Sequence, residues 1–289
     1  MVGMGNSLEA VYELMEGAYD LHVHPGPCVF PRKQNDFAIM QAASDRKMAG
    51  IMLKSHYEYT GLRAQLINES GKFTAKAFGG MALNWPVGGL NPLAVAYALK
   101  TGVKIIWMPT LDADNSVKRL TMGPGKVYKH PGISVVDEKG KLKDVVYEIM
   151  DLVKESGSCY LATGHVSPEE AILLCREGRK RNVPMILTHP ELTITSVPAA
   201  IQKELADAGT LIEKNWINIP QGCVTETEMA EHIRIVGPSR VYIATDRGQK
   251  SGLPPVEDYA RFIDLLLRSG FSKAEIRLMA HTVPEKIVG

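Results

Sequence analysis

Short runs of apolar and β-branched residues alternate with amphipathic segments along most of the chain. Runs of this kind predict buried strands, and the segments between them have the apolar spacing of helices that face a core. Each strand is therefore predicted to lead into a helix. The eight strand candidates read AYDLHVH, GIMLKSH, KAFGGMALN, VKIIWMPT, CYLATGH, VPMILTH, TLIEKNW and RVYIATD.

Capping residues mark the ends of several predicted helices. Asn91 opens one segment and Gly102 closes it, while Ser167 before Pro168 opens another. These residue types satisfy or end the backbone hydrogen bonding of a helix, and proline is tolerated in the first turn. The segment DFAIMQAASDRKMAG is likewise predicted to be a helix, ending on Gly50.

The strand candidates end about 30 residues apart, which is the length of a strand-helix-strand unit. One longer gap holds a Gly- and Pro-rich insertion at about residues 111–142, after the fourth strand, where we expect a small hairpin. Eight such units predict an α/β fold, a (β/α)8 TIM barrel that forms a single domain over residues 1–289. The final segment SKAEIRLMAHTVPEKIVG is predicted as an appended helix. An open, doubly wound sheet is the alternative.

Composition narrows the class of partner. Lys and Arg number 33 against 32 Asp and Glu, without a basic block, so the electrostatic footprint of a nucleic-acid-binding protein is missing. No apolar run reaches the roughly 18 residues that span a bilayer. The four cysteines are scattered, as expected of reduced thiols. We expect a cytoplasmic protein with a small-molecule substrate, without nucleic-acid or membrane partners, and leave open whether it is a homo-oligomer.

Residues that can bind metal or take part in catalysis follow the predicted strands. On a strand, residues two apart point to the same face, so His22 and His24 would present two imidazoles side by side. Barrel enzymes build their sites at the carboxyl ends of the strands. The residues that follow strands on this rim are His22, His24, Lys54, His56, His165, His189 and Asp246. Five of them are histidines, and their clustering favours a metal site over packing needs alone.

Imidazole and carboxylate ligands suit Zn²⁺, and a catalytic site uses about three protein ligands while one position stays open for water. A bound water then loses its proton near neutral pH, and His189 or Asp246 could accept that proton. Lys54 and His56 are candidates for a second ion or for the substrate. Arg32 and Arg247 could hold a carboxylate or phosphate, or be ordinary surface cations.

The order of these residues resembles the amidohydrolase superfamily of metal-dependent hydrolases, with the branch unassigned. The matching motifs are DLHVHP, ATGHVS, ILTHPE and IATDRG, after the predicted strands one, five, six and eight. The resemblance implies that His22, His24 and Asp246 bind metal and that His165 and His189 are further ligands. It also implies that Asp246 takes a proton from the attacking water, and that His189 could act as a base or stabilise the transition state.

Two departures limit what the resemblance implies. Binuclear members bridge their metals with a carboxylated Lys or a Glu from strand four, whereas VKIIWMPT ends without either. We therefore expect one ion rather than two, and the carboxylation of Lys54 stays open. Deaminase-type members carry a Glu three residues after the strand-five His, and Pro168 occupies that position here, which disfavours deamination.

The sequence thus predicts a metal-dependent hydrolase that uses a metal-bound hydroxide to cleave a C–N or ester-like bond of a small molecule. An anionic substrate is one hypothesis. Zn²⁺ is the expected ion, and Mn²⁺, Fe²⁺ and Ni²⁺ are alternatives. A non-hydrolytic metal-dependent decarboxylase, a phosphoesterase and a catalytically silent metal- or ligand-binding barrel remain open. The insertion could be a lid that excludes water or an oligomer contact.

Overall fold

The computed structural model describes residues 8–120 and 130–289. Eight parallel strands follow one another around a single sheet in the order β1 to β8, and each predicted strand is present. The (β/α)8 barrel is therefore confirmed. The strands are β1 (Tyr19–Val23), β2 (Gly50–Leu53), β3 (Lys76–Ala82), β4 (Ile105–Trp107), β5 (Tyr160–Ala162), β6 (Met185–Leu187), β7 (Leu211–Asn215) and β8 (Val241–Ala244).

Hydrogen bonds between β1 and the end of β8 close the barrel. The amide of Asp246 donates to the carbonyl of His22 at 2.8 Å, and the amide of His24 donates to the carbonyl of Arg247 at 2.7 Å. Buried Asp20 adds two contacts, because it accepts from the amide of Thr245 at 3.0 Å and from its hydroxyl at 2.5 Å. These contacts hold the first and last strands side by side.

Helices alternate with the strands and pack outside them. Apolar side chains such as Leu21, Met52 and Trp107 fill the barrel interior, while a second apolar layer lies between strands and helices. The helices are α1 (Leu8–Met15), α2 (Asp36–Asp45), α3 (Gly61–Glu69), α4 (Pro92–Lys100), α5 (Asp114–Arg119), α6 (Asp144–Ser156), α7 (Pro168–Arg181), α8 (Ala199–Asp207), α9 (Glu226–Val236), α10 (Pro255–Arg268), α11 (Lys273–Arg277) and α12 (Val283–Val288).

The predicted end of the second helix is wrong. Helix α2 ends at Asp45, and Lys47 adopts a left-handed conformation with φ of 53°. Gly50 begins β2, where the predicted strand run GIMLKSH also starts. A Cβ atom there would lie 2.5 Å from the ring of Phe78 and 2.8 Å from the carbonyl of Lys76, so the residue is glycine because β3 approaches closely.

The insertion after β4 is only partly described, since residues 121–129 lie outside the described residues. Its described part contains α5, and an antiparallel bridge between Val136 and Leu142 matches the expected hairpin. The predicted appended helix comprises α11 and α12, joined by a π-helical turn at Leu278–Thr282. Within the described ranges, no helix combines the length and the apolar character needed to cross a membrane.

Candidate metal centre

The side chains singled out in the sequence lie on one rim of the barrel, at the carboxyl ends of the strands. Enzymes with this fold place their chemistry on that rim. The residues buried there are His22, His24, Lys54, His56, His165 and His189, and Asp246 is half-buried beside them.

His22, His24 and Asp246 form what we call the β1–β8 cluster. Nε2 of His22 lies 3.2 Å from Oδ1 of Asp246, and Nε2 of His24 lies 3.0 Å from the same oxygen. All three ligand atoms lie within 4.8 Å of one another. Ligand bonds of about 2.0–2.1 Å place neighbouring ligand atoms about 2.9–3.4 Å apart, so the donor atoms and their spacing fit one Zn²⁺-sized ion.

Burial and mutual charge set the protonation of this cluster. Burial lowers the pKa of His24 to about 3. For Asp246, burial alone would raise the pKa, but the imidazoles of His22 and His24 outweigh it and hold the pKa well below its usual range. Asp246 also adopts φ of 52°, in the left-handed region that few non-glycine residues occupy. For His22, burial alone would lower the pKa, but the carboxylates of Asp246 and Glu213 outweigh it and raise the pKa. Metal binding needs neutral imidazoles and an ionised carboxylate, so an ion at this cluster competes with a proton on His22.

Glu213 on β7 supports the cluster from inside the barrel, and sequence reasoning missed it. Its carboxylate lies 2.6 Å from Nδ1 of His22, and both side chains are fully buried. The proximity of His22 lowers the pKa of Glu213 despite its burial, which raises it. An ionised carboxylate at Nδ1 holds the proton there and leaves the lone pair of Nε2 facing the cluster. The available signal was a glutamate in the middle of a buried strand.

Lys54 extends into the same cluster. Its Nζ lies 2.7 Å from Nε2 of His22 and 4.8 Å from the centre of the Trp107 ring. Burial lowers the pKa of Lys54 to about 8. Because Nε2 has one lone pair, it can accept a hydrogen bond from Lys54 or bind an ion, but not both. An ion held by His22 therefore requires the amine to take another partner.

His56 lies beside the cluster on the β2 side. Its ring stacks on that of His24 with 4.6 Å between centroids, and its Nδ1 lies 2.9 Å from the hydroxyl of Thr110. Asn84 donates to that hydroxyl at 2.6 Å, so the contact is anchored at the ends of β3 and β4. Burial holds the pKa of His56 well below its usual range. The structure thus places both predicted β2 residues next to the candidate ion site.

His165 and His189, which we call the β5–β6 pair, face each other with 4.9 Å between ring centroids. His189 also lies 5.9 Å from the ring of His22. Gly164 makes the turn before His165 possible, since its φ is 63° and a Cβ atom would lie 2.3 Å from the carbonyl of Met108. The pair reaches the same rim as the β1–β8 cluster, but it lies outside the three-residue group whose ligand atoms are within 4.8 Å.

The inserted helix α5 supports the β5–β6 pair. The side-chain nitrogen Nδ2 of Asn115 contacts three backbone carbonyls. It lies 2.8 Å from that of Ile194, 3.0 Å from that of His165 and 3.3 Å from that of Val166. The hydroxyl of Ser116 lies 3.3 Å from Nδ1 of His165. The described part of the insertion therefore joins the loops that follow β5 and β6.

The hydrogen bonds around His189 indicate its tautomer. The hydroxyl of Thr195 donates its single hydrogen to the carbonyl of His189 at 3.1 Å, so it can only accept from Nδ1, which lies 3.4 Å away. The lone pair is then on Nε2, which is buried and has no hydrogen-bond partner among the described residues. Burial lowers the pKa of His189 to about 4, so the imidazole is neutral at pH 7.

The two arginines predicted to contact substrate differ in their surroundings. Nε of Arg247 forms a salt bridge with Asp258 at 2.5 Å, and both side chains are largely buried. The guanidinium of Arg32 lies 5.4 Å from the Phe30 ring, and among the described residues its Nε has no hydrogen-bond partner although it is shielded from solvent. A role in substrate binding stays a prediction for both residues, and the salt bridge weighs against Arg247.

The sequence profile of a family described as a family of unknown function (DUF6282) matches residues 17–213. No curated protein matches the chain.

Solved structures share the fold at low sequence identity. An amidohydrolase from Pseudomonas aeruginosa is 13% identical, with 98% of each chain covered and a TM-score of 0.68. An organophosphorus hydrolase from Deinococcus radiodurans is 11% identical over 96% of this chain and 94% of that one, with a TM-score of 0.58. An N-acetyl-D-glucosamine-6-phosphate deacetylase from Mycobacterium smegmatis is 14% identical over 95% and 76%, with a TM-score of 0.54. The resemblance to the amidohydrolase superfamily is confirmed in the fold.

Proposed function

The chain belongs to the DUF6282 family, whose function is unknown, and from its site we propose that it is a metal-dependent hydrolase of the amidohydrolase type. The observation that carries the proposal is the β1–β8 cluster, in which two imidazole Nε2 atoms lie 3.2 and 3.0 Å from one carboxylate oxygen. His22, His24 and Asp246 would hold one ion, and His165 and His189 would complete its surroundings. Zn²⁺ is the ion that these ligands fit best.

When bound, such an ion supplies Lewis-acid activation of a water molecule and of the bond to be cleaved. The residues of the chain then have separate tasks. Glu213 orients His22 through Nδ1, and the free Nε2 of His189 is placed to accept a proton. Asp246 is the second candidate for that proton. Lys54 and His56 would contact the substrate, and the proposed reaction is cleavage of a C–N or ester-like bond in a small molecule.

Metal content and a substitution at Asp246 test the proposal. We expect the purified protein to hold about one equivalent of Zn²⁺ by elemental analysis, and Asp246→Asn to lose both the ion and activity. Asp207→Asn is the matched control, because Asp207 is exposed on α8 and forms a surface salt bridge with Lys203. A native protein that binds no divalent ion would overturn the proposal.

The reaction is tested with a panel of amides, lactones, phosphoesters and aromatic carboxylates on the zinc-loaded protein. Release of an amine or alcohol from an amide or lactone supports hydrolysis of the proposed class. Loss of CO₂ from an aromatic carboxylate, without hydrolysis of any other compound, would replace the proposal with a decarboxylase. Selective phosphoester cleavage would replace it with a phosphoesterase.

A further inference from the structure

Arg32 is held at the rim by its backbone. The segment between β1 and α2 crosses the loop that follows β8, where Arg32 forms an antiparallel bridge with Gln249. The amide of Lys33 donates to the carbonyl of Gly248 at 2.9 Å. The same loop carries Asp246. The backbone of Arg32 is therefore held next to the β1–β8 cluster.

The positive charge of Arg32 reaches the site. Burial is the main reason that the pKa values of His24, Lys54 and His56 are lowered, and the charge of Arg32 contributes to the lowering at each of them. Three side chains at the ends of two strands therefore lie within electrostatic range of this guanidinium. A negative charge placed near Arg32 and Lys54 would be stabilised.

The Arg32 guanidinium has a hydrogen-bond donor without an acceptor. Its Nε is buried, and within residues 8–120 and 130–289 no side chain or carbonyl accepts a hydrogen bond from it. Arg247, in contrast, has a buried carboxylate partner in Asp258. A buried donor without an acceptor costs free energy, and a ligand that supplies the acceptor recovers it.

Space for a ligand lies beside Arg32, which lines an open groove of about 460 Å³ whose walls are residues 26–28 and 30–35. Grooves of this size hold small molecules. The Phe30 ring lies over one face of the guanidinium, at 5.4 Å from its central carbon, and leaves the in-plane N–H groups uncovered from that side.

We propose that Arg32 binds an anionic oxygen group of the substrate, a carboxylate or a phosphate, while the bond to be cleaved lies at the β1–β8 cluster. The planar guanidinium can donate two parallel hydrogen bonds to such a group. The inference rests on the proposed hydrolase function for the position of the reacting bond. The substrate is then a small molecule with an anionic group at one end and the cleaved bond at the other.

The first test is binding, which does not depend on turnover. Inorganic phosphate and a panel of small carboxylates are titrated into zinc-loaded and metal-free wild-type protein, Arg32→Gln and Lys33→Gln by calorimetry. Lys33→Gln is the matched control, because Lys33 is the exposed neighbour and loses the same charge. We expect Arg32→Gln to weaken the best anion about ten- to a hundredfold, the range for hydrogen bonds to a charged group. The preferred anion distinguishes a carboxylate from a phosphate.

Equal affinity in the wild type and in Arg32→Gln would overturn the inference, and so would equal losses in Arg32→Gln and Lys33→Gln. Arg32→Lys keeps the charge and loses the second donor, so an intermediate affinity supports paired hydrogen bonds and guards against loss of folding in Arg32→Gln. Because the titrations also use metal-free protein, anion binding that depends on Arg32 supports this inference even if the protein hydrolyses nothing in the panel.

The second test uses any anionic substrate found and its neutral ester or amide analogue. We expect Arg32→Gln to raise KM for the anionic substrate about ten- to a hundredfold and to change kcat little, because the contact lies away from the reacting bond. KM for the neutral analogue should stay the same. An equal loss for both compounds would contradict the assignment.

Discussion

The two sides of the rim position their histidines by different means. In the β1–β8 cluster, the residues are held by hydrogen bonds between the first and last strands and by Glu213 inside the barrel. In the β5–β6 pair, Nδ1 of each imidazole contacts a hydroxyl from outside the strands, Ser116 or Thr195. One side depends on the barrel itself, and the other depends on the inserted helix and a loop.

We expect the contacts on one side to affect metal affinity and those on the other side to affect the stability of the fold. A charged partner such as Glu213 tunes how strongly His22 holds an ion. The amide of Asn115, which contacts three backbone carbonyls, mainly fixes the shape of the loops. Substitutions on the two sides should therefore change different measurements.

The largest expected effect is that of pH on the stability of the metal-free protein. A histidine from each side of the rim should contribute about equally. Folding keeps His24 and His189 neutral, with pKa values of about 3 and about 4, whereas the unfolded chain protonates them near 6.5. The unfolded state therefore binds more protons below pH 6.5, and stability falls as the pH falls. Each imidazole contributes about 1.4 kcal/mol per pH unit, or about 5 kcal/mol for both between pH 6.5 and 4.5.

Urea denaturation at a series of pH values measures this effect. His24→Asn and His189→Asn should each flatten the dependence of the unfolding free energy on pH by about half of that amount. The comparison with wild type is needed because Asp20, with its pKa raised by burial to about 7, acts in the opposite direction. Curves parallel to the wild type would mean that the imidazole in question is not buried as described.

The next effect separates the two sides through Asn115. Asn115→Ala should lower the free energy of unfolding by about 3 kcal/mol, because the two N–H donors of its side-chain amide are lost and each loss leaves a buried carbonyl unsatisfied at about 1–2 kcal/mol. Zinc affinity should stay within about threefold of wild type, as the β1–β8 cluster is untouched. Lys118→Ala on the same helix is the control, since its pair with Asp114 is exposed and contributes about 1 kcal/mol or less. An equal loss in both variants would contradict the supporting role of Asn115.

The smallest expected effect is on zinc affinity, and it should come from the β1–β8 cluster and not from the β5–β6 pair. Glu213→Gln should weaken zinc about ten- to a hundredfold, as expected when a carboxylate partner of a ligating histidine is lost. Chelator competition measures the affinity, and Glu213→Asp should recover part of it. Ser116→Ala, which removes the contact to His165, should change zinc affinity less than threefold. If Ser116→Ala weakened zinc as much as Glu213→Gln, the two sides would not differ.

Much of the fold follows from local pattern. All eight strands lie within the predicted runs, and the capping boxes at Ser167, Thr225 and Ser272 begin helices α7, α9 and α11. A helix is predicted after each strand, but no segment is assigned to α1, α3, α5 or α6. In α3 the apolar residues lack a helical stripe, with Leu62 and Leu66 exposed. The end of α2 was placed wrongly because the glycine that seemed to stop it fills a strand position against β3.

The rim residues were predictable because parallel strands in a barrel bring their carboxyl ends to one side, whatever the distance along the chain. Their partners were not. Glu213 and His22 are 191 positions apart, and Asn115 and Ile194 are 79 apart. No local pattern encodes such contacts, since they depend on how strands and loops pack.

The sequence alone therefore determined the alternation of strands and helices, the barrel, and the set of side chains at its rim, because each follows from periodicity and strand direction. The tertiary structure decided which of these side chains share a carboxylate, which nitrogen of each imidazole faces the site, and which arginine already has a partner. Those properties depend on distances of about 3 Å between atoms that are far apart in the chain, and such distances exist only after packing.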